Sequence, residues 1–493
     1  MSYRVCNIFL TASRPFYQSV SMMHLESIPL EEYIKFAQKH FKEAEKNISK
    51  EAIEQIYQYF EGITWYMQKV LHTLYDMTQV HEIADVSMVE EAICQIIGSF
   101  QYTYSETLFR MPAICVSATG ISTPGYFGAC RARLRTSSWH EEEGVLYPRH
   151  LSLEQCSSEA TARYKASIIP ESSSGTLTDL TGGFGIDCAF LSPKFHHVTY
   201  VERQEVLCEI ASHNFPLLGL NHIRIENKDG IRHLQEMSSV DWIFIDPARR
   251  DGHGGKTVAI ADCEPNVAEL ESLLLEKAQH VMVKLSPMLD LSLAIQDLKY
   301  VQEAHIVSVN NECKELLLIL GHNTVAAENI PVHCINLQTK DGRNTETTGQ
   351  FFTFTREQEQ SSPSEYTGTL DKYLYEPNAS ILKAGAFRNA AYIYKVKKLH
   401  PNSHLYTSGE PIKNFPGRSF RITGVCTLNK KELKGVLGDL KKANITVRNF
   451  PSSVAELRKR IKLSEGGEVY LFATTLNNEQ KVLIRCEKTE GRN

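Results

Sequence analysis

The stretch Asp179-Leu-Thr-Gly182-Gly183-Phe-Gly185-Ile-Asp187 decides the fold. It ends a short β-rich run, LTDLT at 177–181, and opens a helical one. Glycines at such a junction let the backbone turn sharply and approach a ligand that a Cβ would exclude. Taken alone, the stretch also reads as an ordinary strand-to-helix turn. Three acids further along change the balance. Glu202 closes the next strand (VTYVE, 198–202), Asp229 follows the third (IRIEN, 223–227), and Asp246 ends the fourth (DWIFID, 241–246) in Asp246-Pro247-Ala248-Arg249. All sit at the carboxyl ends of strands, where doubly wound sheets bind their ligands. Each acid alone reads as a helix cap or a solvated turn residue; in register they read as a site.

Working outward, VMVKL (281–285) makes a fifth near-continuous apolar strand, with helical stretches such as Glu205–Phe215 and Val267–Gln279 between strands. This alternation predicts a parallel sheet covered on both faces. HIVSVN (305–310) and CKELLLIL (313–320) are separated only by Asn311 and Glu312. A parallel connection needs a dozen residues or more, so these two strands form an antiparallel hairpin. Five parallel strands plus a hairpin differ from the six parallel strands of a dinucleotide-binding fold. The dinucleotide pattern also needs Gly or Ala three residues after Gly185, where Cys188 stands. Gly254-Gly255-Lys256-Thr257 imitates the end of a P-loop, but Arg250 occupies the position of its first glycine.

Composition sets the class. The 493 residues are 42% hydrophobic and 23% charged, typical of ordinary globular protein. No apolar run reaches the ~20 residues of a membrane helix, and the start lacks a secretory signal pattern. Twelve cysteines are scattered singly with no Cys-x-x-Cys pair, which predicts reduced thiols, a cytoplasmic location and no metal. The net charge of −5 conceals a split. Residues 411–493 hold 17 Lys and Arg against 8 Asp and Glu, leaving −14 on the rest. A basic tail on an acidic body predicts a polyanionic partner.

The glycine stretch, the three acids and the closing hairpin resemble the class I S-adenosylmethionine-dependent methyltransferases over about 144–322. The resemblance implies an α/β, doubly wound, Rossmann-like methyltransferase sheet of five parallel strands plus an antiparallel hairpin. It implies S-adenosyl-L-methionine as cofactor, with Asp179, Gly182, Gly183 and Gly185 along its methionine half. Glu202 would take the ribose, Asp229 would lie by the adenine, and Asp246-Pro247 would stand at the reacting centre. Amino-group methyltransferases carry a second proline and an aromatic after Asp-Pro; Ala248 and Arg249 replace them here, so the platform for a flipped base is missing. Arg249 and Arg250 read equally as phosphate ligands or as partners of nearby acids.

The run from Tyr147 to Lys165 resembles the helix preceding the sheet in one bacterial methyltransferase group, and a helix is expected from Leu153 to Ile169. Tyr375-Glu-Pro-Asn378-Ala-Ser-Ile-Leu-Lys383-Ala-Gly385 is similar to that group's ferredoxin-like segment, and the basic tail to its THUMP-like domain. The tail reads β-α-β-α-β-β, with a helix near 430–442 carrying Lys431, Lys434 and Lys441 in one stripe. THUMP domains bind RNA, so the resemblance implies an RNA partner; a solvated helix face explains the lysines equally simply. Residues 340–368 read as a polar loop.

The first hundred residues read as four amphipathic helices forming an all-α module, the last starting at a Ser87-to-Glu90 capping box. Ser13-Arg14-Pro15-Phe16-Tyr17, His24 to Leu30 and Phe60 to Val70 resemble the helical lid of prokaryotic AAA-type ATPases, without the nucleotide-binding half. The expected divisions are 1–112 (lid-like), 113–143 (junction), 144–370 (methyltransferase), 371–415 (ferredoxin-like) and 418–493 (THUMP-like, α+β). The leading expectation is methyl transfer to tRNA or rRNA. The rivals are a small-molecule or protein methyltransferase and a non-catalytic nucleic-acid-binding or ATPase-associated adaptor.

Overall fold

The computed structural model describes residues 28–60, 64–100, 139, 142, 144–147, 156–170, 175–249, 259–339 and 348–489. The chain divides into two compact units, Met1–Arg133 and Leu134–Asn493. Among the described residues no helix is long and apolar enough to cross a membrane.

The first unit holds α1 (Leu30–Glu43), α2 (Lys50–Phe60), α3 (Thr64–Met77) and α4 (Val86–Phe100). Their apolar stripes meet in one core that includes Phe41, Ile53, Ile56, Met67, Leu74 and Val89. Helix α4 starts differently from expectation. Asp85 Oδ1 accepts both the backbone N–H (2.9 Å) and the hydroxyl of Ser87, so Asp85 caps and Ser87 is its donor. Two short strands, Asn47–Ile48 and Ile83–Ala84, each preceding a helix, pair in parallel. Ile63, the side chains of Ile96 and Ile97, the stretch 13–17 and the junction near 113–135 lie outside the described residues.

The second unit contains α5 (Glu159–Ile168), N-capped by Ser158; the described residues 156–158 are not helical, so this helix starts later than the expected Leu153, where the Ser158 hydroxyl meets the Thr161 N–H. A nine-stranded sheet follows. Its strands are β1 (Thr176–Asp179), β2 (His197–Glu202), β3 (Ile223–Asn227), β4 (Val240–Ile245), β5 (Ala278–Leu285), β6 (Val301–Val309), β7 (Glu312–Leu320), β8 (Val332–Gln338) and β9 (Thr348–Phe354). The spatial order is β9-β8-β6-β7-β5-β4-β1-β2-β3. Strands β3, β2, β1, β4 and β5 run parallel, and β7 and then β6 close them as an antiparallel pair. The fold is therefore α/β with a large, mostly parallel sheet of Rossmann-like type. The hairpin turn falls on Asn310 and Asn311, both at positive φ (50° and 66°), as a two-residue primed turn requires. Helices α6 (Ile186–Leu191), α7 (Glu205–Leu217), α8 (Gly230–Glu236) and α9 (Val267–Lys277) connect the strands. Strand order reverses between β1 and β4, which makes their carboxyl ends the switch point.

Two features extend beyond the expected sheet. Strand β8 adds parallel to β6, and β9 adds antiparallel to β8. Part of the stretch expected as a polar loop, 340–368, is thus strand β9 and a short helix, Arg356–Ser361. Strand β9 buries only Phe352 and Phe354 and leaves Phe351 exposed, so its alternation is short and edge-like.

A second sheet comprises β10 (Tyr373–Pro377), β11 (Lys397–Lys398), β12 (Tyr406–Ser408), β13 (Gly417–Cys426), β14 (Asn444–Arg448), β15 (Val469–Thr475) and β16 (Lys481–Lys488). Its order is β11-β12-β10-β13-β16-β15-β14. Strand β10 pairs antiparallel with β13, so the ferredoxin-like and THUMP-like segments share one continuous sheet. Buried Glu376 of β10 accepts from Arg418 of β13 and Arg448 of β14, which engages two of the tail's cations internally. An amide relay joins the two sheets: Asn336 and Asn378 both donate to Gln350 Oε1 (3.2 and 3.1 Å), and Gln350 Nε2 donates to the Gly417 carbonyl (3.0 Å). The tail helix runs only Lys430–Leu437. Gly438, at φ 54°, ends it, so exposed Lys431 and Lys434 lie on the helix and Lys441 lies beyond it.

Candidate active site at the switch point

The glycine loop is fixed by aromatic packing beneath it. A Cβ on Gly182 would stand 2.2 Å from the Tyr200 ring, and one on Gly185, at φ +87°, would meet Phe215 at 2.8 Å. No other residue type fits either position without moving the ring below. The Tyr200 hydroxyl donates to the Gly183 carbonyl at 2.5 Å, and the Gly182 N–H donates to the Val201 carbonyl at 2.8 Å. Strand β2 therefore shapes the loop that follows β1.

Asp179 closes β1 and is 1% exposed. Its Oδ1 accepts the Thr181 N–H at 3.0 Å, while its Oδ2 is buried without a hydrogen-bond partner. Burial pushes this carboxyl well above its ordinary range, and nearby Asp187, Asp246 and Glu202 add to the shift, against the pull of the Thr181 N–H. A buried carboxylate oxygen with no partner is costly, and a ligand that brings a cation or a donor relieves the cost.

Glu202 lies at the end of β2, with Oε2 accepting the Gly183 N–H at 2.9 Å and Oε1 accepting the Gln204 N–H at 2.8 Å. Each oxygen retains a second lone pair for a ligand donor. Asp229 is exposed and caps α8, its Oδ1 accepting the Arg232 N–H at 3.0 Å. Its side chain thus has a structural task whatever else it meets. Asp246 follows β4, its N–H bonded to Thr181 Oγ1 at 2.7 Å, and its side chain is 33% exposed. Pro247 beside it is buried. Ala248–Arg249 pairs antiparallel with Cys263–Glu264; the Arg249 side chain, Arg250 and the 254–257 stretch lie outside the described residues.

The structure brings Asp179, the glycines, Glu202 and Asp246 to one end of the sheet. It also supplies partners the sequence reading missed. Lys284, near the end of β5, contacts Asp246 Oδ2 and lies 3.4 Å from Asp187 Oδ2. Fully buried Lys165 of α5 reaches Asp187 Oδ1 at 3.0 Å and Glu315 Oε2 at 2.5 Å. Ser157 Oγ lies 2.7 Å from Asp187 Oδ2 and 3.0 Å from Glu315 Oε1. Burial favours a neutral amine at Lys284, but Asp246, Asp187 and Glu315 outweigh it and raise Lys284 well above its ordinary value, so it stays cationic. Burial likewise opposes ionisation of Asp187, yet Lys165 and Lys284 prevail and hold it below the usual carboxyl range. Burial raises Asp246 above its ordinary value, while Lys284 pulls the other way. A carboxyl tuned upward, only partly exposed and steadied by a lysine is suited to taking a proton from a bound group. Within the sequence, Lys284 in the otherwise apolar VMVKL strand was the available signal for this network.

Asp179 also yields a stability prediction. Its folded pKa is raised, so its ionisation costs stability above the ordinary carboxyl range and costs nothing in acid. Asp179→Asn should melt with the wild type at acid pH and should be more stable at neutral pH by roughly 1–3 kcal/mol. Coincident melting curves at neutral pH would show that Oδ2 is not orphaned.

Residues 373–416 match a family described as a ferredoxin-like domain, and residues 417–488 match one described as THUMP domain-like. No curated protein matches the chain. Among solved structures, a Porphyromonas gingivalis protein proposed to be a methyltransferase is 37% identical, with a TM-score of 0.66 over 75% of this chain and 92% of its own. The B. subtilis tRNA methyltransferase TrmK is 19% identical, covering 35% of this chain and 69% of its own at a TM-score of 0.26. At 37% identity over nearly the whole length of the P. gingivalis protein, the chain belongs to that protein's family.

Proposed function

We propose that this chain transfers a methyl group from S-adenosylmethionine to RNA, of the tRNA or rRNA class. The observation that carries the cofactor reading is Asp179 Oδ2, buried and unpartnered beside a loop that only glycine fits. The methionine end of the cofactor bears an ammonium that pairs with such an oxygen, and Glu202 accepts from ribose hydroxyls at the next strand end. The family relationship to a proposed methyltransferase supports the same reading. When bound, S-adenosylmethionine supplies a methyl carbon made electrophilic by its sulfonium. The chain's own residues then position and manage the proton. Asp246 accepts a hydrogen bond from the attacking group and takes its proton at the carboxylate, Pro247 fixes the loop, and Asp229 and Arg249 border the adenine and the substrate. The matched proteins lend no support to the likeness of residues 1–112 to an ATPase lid.

The RNA half is supported by the THUMP domain-like match and the basic tail. Because β13 is interior to the second sheet, deleting the tail would expose a raw strand edge, and charge reversal is the cleaner test. The double variant Lys431→Glu, Lys434→Glu should lower RNA affinity about tenfold at low salt and reduce the salt slope by roughly 2. The function itself is tested with tritiated S-adenosylmethionine and RNA from cells lacking the gene. Label should appear in RNA; label confined to protein or small molecules would replace the RNA reading with that of a protein or small-molecule methyltransferase.

A further inference from the structure

Three side chains on the extended half of the main sheet converge away from the switch-point carboxylates. Glu303 and His305 lie two residues apart on β6. His333 of β8 is the in-register partner of His305, and the two imidazoles stack with centroids 4.6 Å apart. Both Nε2 atoms face the same oxygen, Glu303 Oε2, at 3.4 Å from His305 and 3.5 Å from His333. One ligand atom from each residue lies within 4.8 Å of the other two.

The outward-facing nitrogens are already engaged. Tyr164 Oη of α5 is 2.8 Å from His305 Nδ1, and Thr353 Oγ1 of β9 is 2.9 Å from His333 Nδ1. Holding each ring by Nδ1 fixes its orientation and directs Nε2 to the shared point, as the outer partners of metal-bound histidines do. His305 is 4% exposed, and its Nε2 is buried with no hydrogen-bond partner. A buried nitrogen without a partner is costly, and a second imidazole and a carboxylate aimed at the same place give it a common solution.

We propose that Glu303, His305 and His333 bind a divalent first-row transition ion, zinc foremost. Two imidazoles and one carboxylate form a nitrogen-rich set suited to zinc, whereas magnesium and calcium prefer oxygen alone. The side chain of Glu303 is 45% exposed and borders a cleft lined by Gly175, Asp241, Trp242, His280 and Gln302. The scattered cysteines led to an expectation of no metal, but cysteine spacing bears on thiolate sites alone, and histidine and carboxylate are a different donor class. The ion links β6 to β8 directly, and through Tyr164 and Thr353 it braces α5 and β9. Tyr164 precedes Lys165, so the metal site and the buried ion network share one helix.

The test is independent of methyl transfer. The full chain, stripped with a chelator, is titrated with Co²⁺ and followed by visible absorption, then with Zn²⁺ by calorimetry. One equivalent should bind, with a nitrogen–oxygen ligand-field spectrum, and Zn²⁺ should raise the melting temperature. His333→Gln and Glu303→Gln should each weaken binding at least 100-fold, beyond the roughly 10–100-fold typical of an outer partner, and Tyr164→Phe about tenfold. Metal-free melting of each variant reports its fold, and Tyr164→Phe and Glu303→Gln decide the matter if His333→Gln is misfolded. No metal-dependent signal, a thiolate charge-transfer band, or undiminished binding by the variants would overturn the site.

Discussion

Asp246→Asn is expected to lower the single-turnover rate of methyl transfer by about 10²–10⁴-fold, the range for removing a positioned proton acceptor. Affinity for S-adenosylmethionine, measured by calorimetry, should stay within about threefold, because Asp179 and Glu202, proposed to hold the cofactor, are untouched. The variant should fold, since Lys284 keeps Asp187 as a neighbour at 3.4 Å. The pH profile sharpens the assignment. Burial raises the Asp246 pKa, so the wild-type rate should fall as acid protonates Asp246, with its inflection above the ordinary carboxyl range. The amide cannot titrate, and the variant's residual rate should lack that inflection. Lys284→Met removes the cation that pulls the Asp246 pKa down, so the acid limb should move to higher pH while the plateau rate falls less. A variant that matched the wild type in rate and profile would remove Asp246 from the reaction.

The elements that proved legible were those whose residues carry their own local signal. Near-continuous apolar runs at β1 to β5 announced parallel strands. The two-residue gap after β6 forced an antiparallel hairpin, which the sheet contains. The glycine loop was readable because the ring beneath Gly182 and the positive φ at Gly185 each leave only one residue type, so the glycines stand in the sequence. What escaped was long-range. Strand β9 buries only two phenylalanines, and its pairing with β8 is set by tertiary packing. The continuity of the second sheet depends on β10 finding β13 about forty residues later, a pairing no local period encodes. Within the site, the strand-end acids were visible as isolated residues at strand ends. Their countercharges come from Lys165 and Lys284, on a helix and a strand far apart in sequence, with Glu315 of a third element sharing Lys165. A lone lysine in an apolar strand signals a buried partner without naming it. Asp229 shows the opposite case, since its position was read correctly while its bond to Arg232 is that of a helix cap.

The largest effect on stability is expected at Lys165. Its ammonium is fully buried and bridges Asp187, 10% exposed, and Glu315, 5% exposed. Lys165→Met keeps most of the volume but leaves Glu315 with Ser157 and strips Asp187 of its closer cation. Breaking one partner out of a buried ion pair costs about 3–5 kcal/mol, because the abandoned charge stays desolvated. For the Leu134–Asn493 unit, with an unfolding entropy of about 2.1 cal/mol/K per residue, that corresponds to a melting temperature lower by roughly 4–7 °C. The double variant Lys165→Met, Glu315→Leu removes the stranded charge as well and should recover most of the loss, as apolar replacements of buried pairs commonly do. Acid provides a second check with a definite sign. Asp187 has a depressed folded pKa, so its contribution is present above the unfolded value near about 4 and disappears as pH falls through the folded one. The gap between wild type and Lys165→Met should therefore be widest at neutral pH and narrow in acid. A gap independent of pH, or a double variant no more stable than the single, would mean that Lys165 acts through packing alone, and that the charges around Asp246 are not held in place by this network.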